Sequence, residues 1–104
     1  MQKLEAGRYA EIFKALGDET RVKIMLMLNT RSRSVSEIVD FFNLSQPTIS
    51  RHLALLKQAG LVAAKREGQQ VIYSLDEKQL PESMSSFLAS FDCCTELFKT
   101  GKNK

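Results

Sequence analysis

Residues 44–62 read LSQPTISRHLALLKQAGLV and have the pattern of a helix with a defined start and end. Ser45 is a preferred N-cap residue, and Pro47 fits the first turn because an N–H is not needed there. Gly60 favours the end of the helix. Apolar side chains recur between these limits every three or four positions and predict the buried face: Ile49, Leu53 and Leu56. Residues 45–60 contain no acidic side chain, so the other face is polar or basic.

Upstream of this helix, the sequence predicts three more helices. An apolar stripe at helical spacing runs over residues 4–16 and stops at Gly17. Asp18 is a good N-cap for a second helix. Residues 29–34 include no hydrophobic side chain and predict a polar loop, after which residues 35–42 predict a short third helix. A brief turn then leads into the helix that begins at Ser45.

Downstream, the pattern changes to strands and then returns to a helix. Residues 61–65 and 70–75 predict two strands joined around Glu67 and Gly68. A last helix begins near Pro81, which suits a first turn. Its apolar stripe is formed by Met84, Phe87, Leu88, Phe91, Cys94 and Phe98.

This order of elements predicts a winged helix-turn-helix fold, mainly α with a small β-hairpin (α+β), in the order ααααββα. A chain of 104 residues is the size of one domain. We expect that domain to span residues 1–98 and residues 99–104 to form a disordered tail.

The stripe of the last helix has two interpretations, and we favour both together. It can cover the core of the domain, or it can form the seam of a dimer. Because it carries more large apolar side chains than a small core needs, we expect an interface at Met84, Phe87, Leu88 and Phe91.

Composition excludes several classes of protein. The chain is 43% apolar and 26% charged, as in ordinary globular proteins. Its apolar stretches fall short of the ~20 residues that a membrane span needs, and polar residues near the N-terminus interrupt any signal peptide. We therefore expect a cytoplasmic protein without a membrane partner. A Ser-His-Asp set, a phosphate-binding glycine loop and a metal-ligand cluster are all missing from the sequence, so we expect no enzyme and no required cofactor.

The polar side chains of the 45–60 helix are suited to double-stranded DNA. In a helix-turn-helix, the second helix enters the major groove, where Gln can pair with adenine and Arg with guanine. The candidate DNA-binding residues on this helix are Ser45, Gln46, Thr48, Ser50, Arg51 and His52. Two more, Arg66 and Gln69, lie at the tip of the predicted hairpin, which we call the wing. Residues 45–73 carry a net charge of +3, equal to that of the whole chain.

Other interpretations of this surface stay open. A basic face can simply be solvated, the wing can be an ordinary turn, and His52 can be a structural contact. The domain can also be a protein-interaction module. Non-specific architectural DNA binding is disfavoured, because such proteins carry far more positive charge than +3.

Three segments closely resemble the ArsR/SmtB family of metal- and metalloid-responsive repressors: residues 44–62, residues 15–21 (ALGDETR) and residues 66–73 (REGQQVIY). The resemblance extends over about residues 8–98. It implies a homodimer, with the first and last helices at the interface, that leaves its operator DNA when an inducer binds.

The inducer sites of the family carry over only in part. Arsenic-sensing members have two cysteines in the third helix, where this chain has Ser34 and Ser36. Zinc-sensing members use Asp and His pairs on the last helix, which here has no His. Some arsenic-responsive relatives carry adjacent cysteines near the end of the last helix, and Cys93 and Cys94 stand in a similar place.

Cys93 and Cys94 are the two cysteines of the chain. Thiolate is the soft ligand that trivalent arsenic or antimony prefers, so we expect As(III) or Sb(III) as the inducer. Inorganic arsenite needs a third donor from water, a small thiol, Asp92 or Glu96, whereas a monomethylated arsenical needs two sulfurs. Neighbours on an intact helix point about 100° apart, so we expect chelation to unwind the last turn.

Two alternatives for the cysteines remain. A repressor of this fold can respond to a redox signal or to another ligand, although a helix C-terminus with Asp92 and Glu96 disfavours a reactive thiolate. Alternatively, Cys94 belongs to the apolar stripe and Cys93 has no role of its own.

Overall fold

The computed structural model describes the backbone of residues 2–100 and the side chains of residues 5–97. Its elements, in chain order, are α1 (Gln2–Leu16), α2 (Glu19–Thr30), β1 (Arg33–Ser34), α3 (Val35–Phe42), α4 (Gln46–Gln58), β2 (Val62–Glu67), β3 (Gln70–Leu75), α5 (Gln79–Ala89), a 3₁₀ turn (Asp92–Cys94) and α6 (Thr95–Thr100). Among the described residues, none of the helices combines the length and apolar character needed to cross a membrane.

Side-chain caps set the boundaries of the helix-turn-helix formed by α3 and α4. Ser34 and Glu37 form a capping box at the start of α3, and Ser45 accepts a bond from the Thr48 N–H at the start of α4. Asn43 ends α3 in the left-handed conformation, at φ 56°, which asparagine tolerates better than most residues. Local sequence therefore fixes the length of the turn between the two helices.

The wing belongs to a sheet that is larger than a hairpin. Strands β2 and β3 pair antiparallel from Val62↔Leu75 to Glu67↔Gln70, around a turn in which Gly68 has φ 64°. Strand β1 pairs with the other side of β3, at Arg33↔Tyr73. Sequence predicted only a polar loop there, because two residues are too few to show strand periodicity.

The core lies between the helix-turn-helix, α1, α2 and the base of the wing. The predicted apolar face of α4 is confirmed, since Ile49, Leu53 and Leu56 are fully buried. The other large side chains that are fully buried within the described part of the chain are Ile12, Ile24, Ile38 and Leu61. The polar face of α4 is thus held outward by contacts on its opposite side.

The prediction of one continuous last helix was wrong. Helix α5 ends at Ala89, Phe91 has extended backbone at φ −110° and ψ 128°, and the chain turns through Asp92–Cys94 before α6. Ser90 donates to the Ser86 carbonyl, and Thr95 donates to the Asp92 carbonyl. These short polar side chains bond locally to backbone and favour an interruption, although the apolar spacing continues through it.

Helix α6 runs to Thr100, two residues into the stretch predicted to be a disordered tail. Residues 101–104 lie outside the described residues, as does the side chain of Phe98. The prediction of a tail therefore stays a prediction.

Candidate DNA-binding surface and cysteine pair

The first two turns of α4 present polar side chains outward. Gln46, Ser50 and Arg51 are exposed, while Ile49 on the opposite face is fully buried. An amide, a hydroxyl and a guanidinium supply the donors and acceptors that base edges in the major groove require. This part of α4 is suited to contact bases.

Ser45 and Thr48 are engaged with each other. The Ser45 hydroxyl accepts from the Thr48 N–H at 3.3 Å and donates to the Thr48 hydroxyl at 2.9 Å. Their first role is therefore to cap α4. Each hydroxyl oxygen keeps a lone pair for a further bond.

The wing and the start of α4 border one concave surface. A cleft of about 290 Å³ is lined by Gln46, by Gln69–Val71 and by the start of α3. Arg66 and Gln69 are exposed, and Lys65 lies 3.9 Å from Glu67 with both side chains in solvent. The fold thus brings predicted DNA contacts from α4 and from the wing to one side of the domain.

His52 has a different environment from the other candidate residues of α4. Only 17% of its side chain is exposed, and its Nδ1 lies 3.0 Å from the Arg21 Nη1. The same Nδ1 lies 3.9 Å from Asp18 Oδ2. The pKa of Asp18 lies below its ordinary value, mainly because its carboxylate accepts a hydrogen bond from the Arg21 N–H. Desolvation of the carboxylate acts in the opposite direction. His52 therefore makes a structural contact whether or not it reaches DNA.

Cys93 and Cys94 are free thiols whose sulfurs lie 3.9 Å apart in the 3₁₀ turn. A tetrahedral ion holds two thiolates at ~2.3 Å and ~3.8 Å apart, whereas the narrower bond angles of trivalent arsenic bring two sulfurs closer together. One soft atom can therefore bind both sulfurs after a small change in the turn. The intact helix from which we expected chelation to unwind the last turn is absent, because the helix is already interrupted at this point. The effect of chelation itself stays a prediction. Within the described side chains, no three His, Cys, Asp or Glu residues are grouped as metal ligands.

The two thiols differ in exposure. Cys93 is exposed and Cys94 is partly covered. Desolvation raises the pKa of Cys94, and the hydrogen bond and charge of Cys93 raise it further. A raised pKa leaves less thiolate at neutral pH, which argues against a fast peroxide sensor.

An apolar groove of about 480 Å³ lies between α1 and α5, and we call it the aromatic groove. Phe87 is at its centre, with ring centroids 4.6 Å from Phe13, 5.1 Å from Tyr9 and 5.0 Å from Phe91. Phe13 and Phe91 are 37% and 45% exposed. Of the other predicted interface residues, Met84 packs against the core and Leu88 is half-buried.

Comparison with known proteins identifies the family. A family model described as "Bacterial regulatory protein, arsR family" matches residues 18–64, from the α2 N-cap into β2. The transcriptional repressor SdpR of Bacillus subtilis is 40% identical over 77 residues, which cover 74% of this chain and 86% of that protein. The chain belongs to the ArsR family.

Two further relatives of this ArsR-family protein bear on its function. The arsenic resistance transcriptional regulator ArsR1 of Pseudomonas putida is 38% identical over 78 residues, which cover 74% of this chain and 60% of that protein. The homodimeric winged helix-turn-helix DNA-binding domain of Mb0332 from Mycobacterium bovis superposes with a TM-score of 0.73 at 26% identity. That match covers 86% of this chain and 84% of the other. The ArsR-family protein is thus a DNA-binding transcriptional repressor and not an enzyme.

Of the two serines at the start of the third helix of this ArsR-family repressor, Ser34 has a structural role. Ser34 is 5% exposed, and its hydroxyl accepts the Glu37 N–H at 3.1 Å. Ser36 is exposed. Hydroxyls are poor ligands for a soft ion, so the cysteine pair is the better candidate site for a metalloid.

The family resemblance implied that the first helix lies at the interface, but sequence reasoning missed the role of Arg21 and the ring contacts that form the aromatic groove. Arg21 lies in the segment 15–21 that carries part of the family resemblance, but its contact with His52 joins residues 31 apart. Tyr9 was visible as an apolar position of the first helix, as was Phe13. Their pairing with Phe87 depends on how α1 and α5 pack.

Proposed function

We propose that this ArsR-family repressor binds its operator as a homodimer and releases it when a trivalent arsenic or antimony compound binds Cys93 and Cys94. One observation carries the choice of inducer: two thiols 3.9 Å apart in a turn that directly follows an interface candidate, Phe91. The relative ArsR1 is named for arsenic resistance, which agrees with this choice.

In this proposal, α4 contacts bases and the wing contacts the backbone of the DNA. Gln46, Ser50 and Arg51 are the exposed base contacts, with Ser45, Thr48 and His52 beside them. Arg66 and Gln69 contact phosphate or the minor groove from the wing. Phosphate contacts position the protein, whereas base contacts provide specificity.

The aromatic groove supports the dimer. Exposed aromatic rings on α1 and directly after α5 leave apolar surface that a second copy can cover, and the domain of Mb0332 is described as homodimeric. A two-fold dimer contacts an imperfect palindrome whose half-sites are about 10 base pairs apart, or a multiple of that.

The donor set favours a monosubstituted arsenical over inorganic arsenite. Monomethylarsonous acid carries two hydroxyl groups, and each leaves as water when a thiol forms a sulfur–arsenic bond. Two neutral thiols therefore take up one arsenical and release two waters, so a raised pKa of Cys94 does not prevent the reaction. Inorganic arsenite keeps a third hydroxyl or takes a third donor from solvent.

In this proposal, ligand binding releases the operator because Cys93 and Cys94 lie next to the proposed dimer interface. The Cys94 N–H donates to the Phe91 carbonyl at 3.0 Å, and Phe91 contacts Phe87 in the aromatic groove. Drawing both sulfurs onto one arsenic atom changes this turn and shifts Phe91. The spacing of the two α4 helices in the dimer then no longer matches the operator.

The DNA part of the proposal is tested on operators selected from genomic fragments. Gln46→Ala and Arg51→Ala should each weaken operator binding by about 1–3 kcal/mol and relax base preference, because each removes a base contact. Fluorescence anisotropy with matched and mismatched sites measures both effects. Lys23→Ala, on the exposed side of α2, is the control for loss of one charge. Full base preference in both α4 variants would contradict the assignment.

The inducer part is tested by titrating the protein–operator complex with methylarsenite, arsenite, antimonite, zinc and cadmium. Cys93→Ser, Cys94→Ser and the double variant should bind the operator normally but stay bound when methylarsenite is added. Ser36→Ala, at an exposed position of α3, is the control and should respond as the wild type does. Normal release of the double serine variant would remove the cysteine site.

A further inference from the structure

Arg21 joins the end of α1 to α4. Its Nε donates to the Ala15 carbonyl at 2.6 Å, and its Nη2 donates to the Lys14 carbonyl at 3.3 Å. Carbonyls in the last turn of a helix have no partner within that helix, and they attract positive charge. The guanidinium therefore caps α1 through two of its N–H groups.

A third N–H of the same guanidinium faces His52 on α4. Arg21 Nη1 lies 3.0 Å from His52 Nδ1. Because a guanidinium can only donate, Nδ1 must accept. We assign the ring proton to Nε2 from this contact; Nε2 lies on the opposite side of the ring from Nδ1.

Asp18 completes the arrangement. Its Oδ2 accepts the Arg21 N–H at 3.1 Å and lies 3.9 Å from His52 Nδ1. As the N-cap of α2, Asp18 fixes the first turn that carries Arg21. Arg21 is thus held at its backbone and at its side chain, so it can hold the ring of His52 in turn.

We propose that Arg21 is a positioning residue for DNA binding, which orients His52 so that its Nε2–H donates to an operator phosphate. The proposal rests on the proposed function, in which α4 enters the major groove. His52 directly follows Arg51 on α4, and the exposed 17% of its side chain leaves an edge for a ligand. An N–H donor on a side chain that is already held in place contacts a phosphate oxygen without the entropic cost of ordering a free side chain.

Two amide variants of His52 separate this role from a merely structural one. His52→Asn keeps an acceptor near the position of Nδ1 but has no donor near that of Nε2. His52→Gln places an amide N–H near Nε2. We expect His52→Asn to bind the operator about tenfold more weakly, which is the loss of one hydrogen bond to a charged group, and His52→Gln to stay within about threefold of wild type. Thermal unfolding checks that both variants are folded.

Arg21→Met should weaken operator binding as much as His52→Asn, and the double variant should bind no more weakly than either single variant, because the two residues act as one unit. Lys23→Met removes the same charge from α2 and should change affinity by less than about twofold. If Arg21→Met does not fold, the two His52 variants still test whether His52 donates a hydrogen bond to the operator.

Wild-type affinity for His52→Asn, or weaker binding by His52→Gln than by His52→Asn, would overturn the positioning role. Both outcomes differ from failure of the proposed function, which would appear as a wild-type protein without operator binding.

Discussion

Cys93 and Cys94 show how much two adjacent side chains can differ. The turn places both sulfurs on the surface side of the chain, yet only Cys94 is partly covered. Desolvation raises its pKa first, and the neighbouring thiol adds to the effect through a hydrogen bond and its charge. The two thiols thus differ in exposure, and the partial burial of Cys94 makes its thiolate harder to form.

We expect Cys94 to react slowly with iodoacetamide at neutral pH. Alkylation requires thiolate, and the pKa of Cys94 lies above the ordinary value of 9.0. In Cys93→Ser, where desolvation still acts, the rate should rise with pH and continue to rise beyond pH 9. Mass spectrometry of timed samples measures the rate, and a short cysteine peptide is the control. A plateau below pH 8 would contradict the raised pKa.

At the level of elements, the capping box of α3 links helix stability to pH. Glu37 Oε1 accepts the Ser34 N–H at 2.9 Å, and its Oε2 lies 3.2 Å from the Arg31 guanidinium. The bond from Ser34, followed by the interaction with Arg31, holds the pKa of Glu37 below its ordinary value of 4.5. The ionised carboxylate therefore stabilises the start of the helix-turn-helix.

The sign of the pH effect follows from this lowered pKa. The contribution of Glu37 to stability is fully present above about pH 4.5 and is lost as pH falls through the lower folded-state pKa. Glu37→Gln should be less stable than wild type at pH 7, and the difference should shrink below pH 4.5. Urea unfolding between pH 7 and pH 3 measures it, with the exposed Glu77→Gln as the control. A difference that is constant with pH would show that the charge of Glu37 is unimportant.

The elements that sequence predicted well are those whose signals agree locally. Helix α4 has a serine cap, a proline in its first turn, apolar spacing and a terminal glycine at φ 79°, all within sixteen residues. Strand β1 could not be predicted, because it is a strand only through pairing with β3. The break after α5 was missed because Phe91 and Cys94 continue the apolar spacing across it.

Some features of the candidate site could likewise be predicted from local sequence, and others could not. Exposure of Gln46, Ser50 and Arg51 follows from the helical period, so sequence was sufficient. The partner of His52 lies on another helix, and the distance between the two sulfurs depends on backbone that left the helical conformation. Neither the partner of His52 nor the distance between the two sulfurs could be predicted without the folded structure.

At the scale of the whole molecule, the proposed interface and the DNA-binding surface are joined by α1. Tyr9 and Phe13 line the aromatic groove, and the carbonyls at the end of the same helix bond Arg21, which contacts α4. These contacts form a continuous chain from the aromatic groove to α4. This path gives the cysteine turn, through Phe91 and Phe87, a physical connection to the DNA-binding surface.

Phe91→Glu should convert the protein to a monomer. Phe91 is 45% exposed at the edge of the aromatic groove, where a carboxylate would be buried against apolar rings of the second copy without a partner. A monomer engages only one half-site, so operator binding should weaken by about 100-fold or more. Phe41→Glu is the matched control, because Phe41 is 67% exposed on α3 and its ring contact is with Phe42. Sedimentation equilibrium measures the mass, and methylarsenite should still bind one per chain, since both thiols remain. A Phe91→Glu protein that sediments as a dimer would place the interface elsewhere on the molecule.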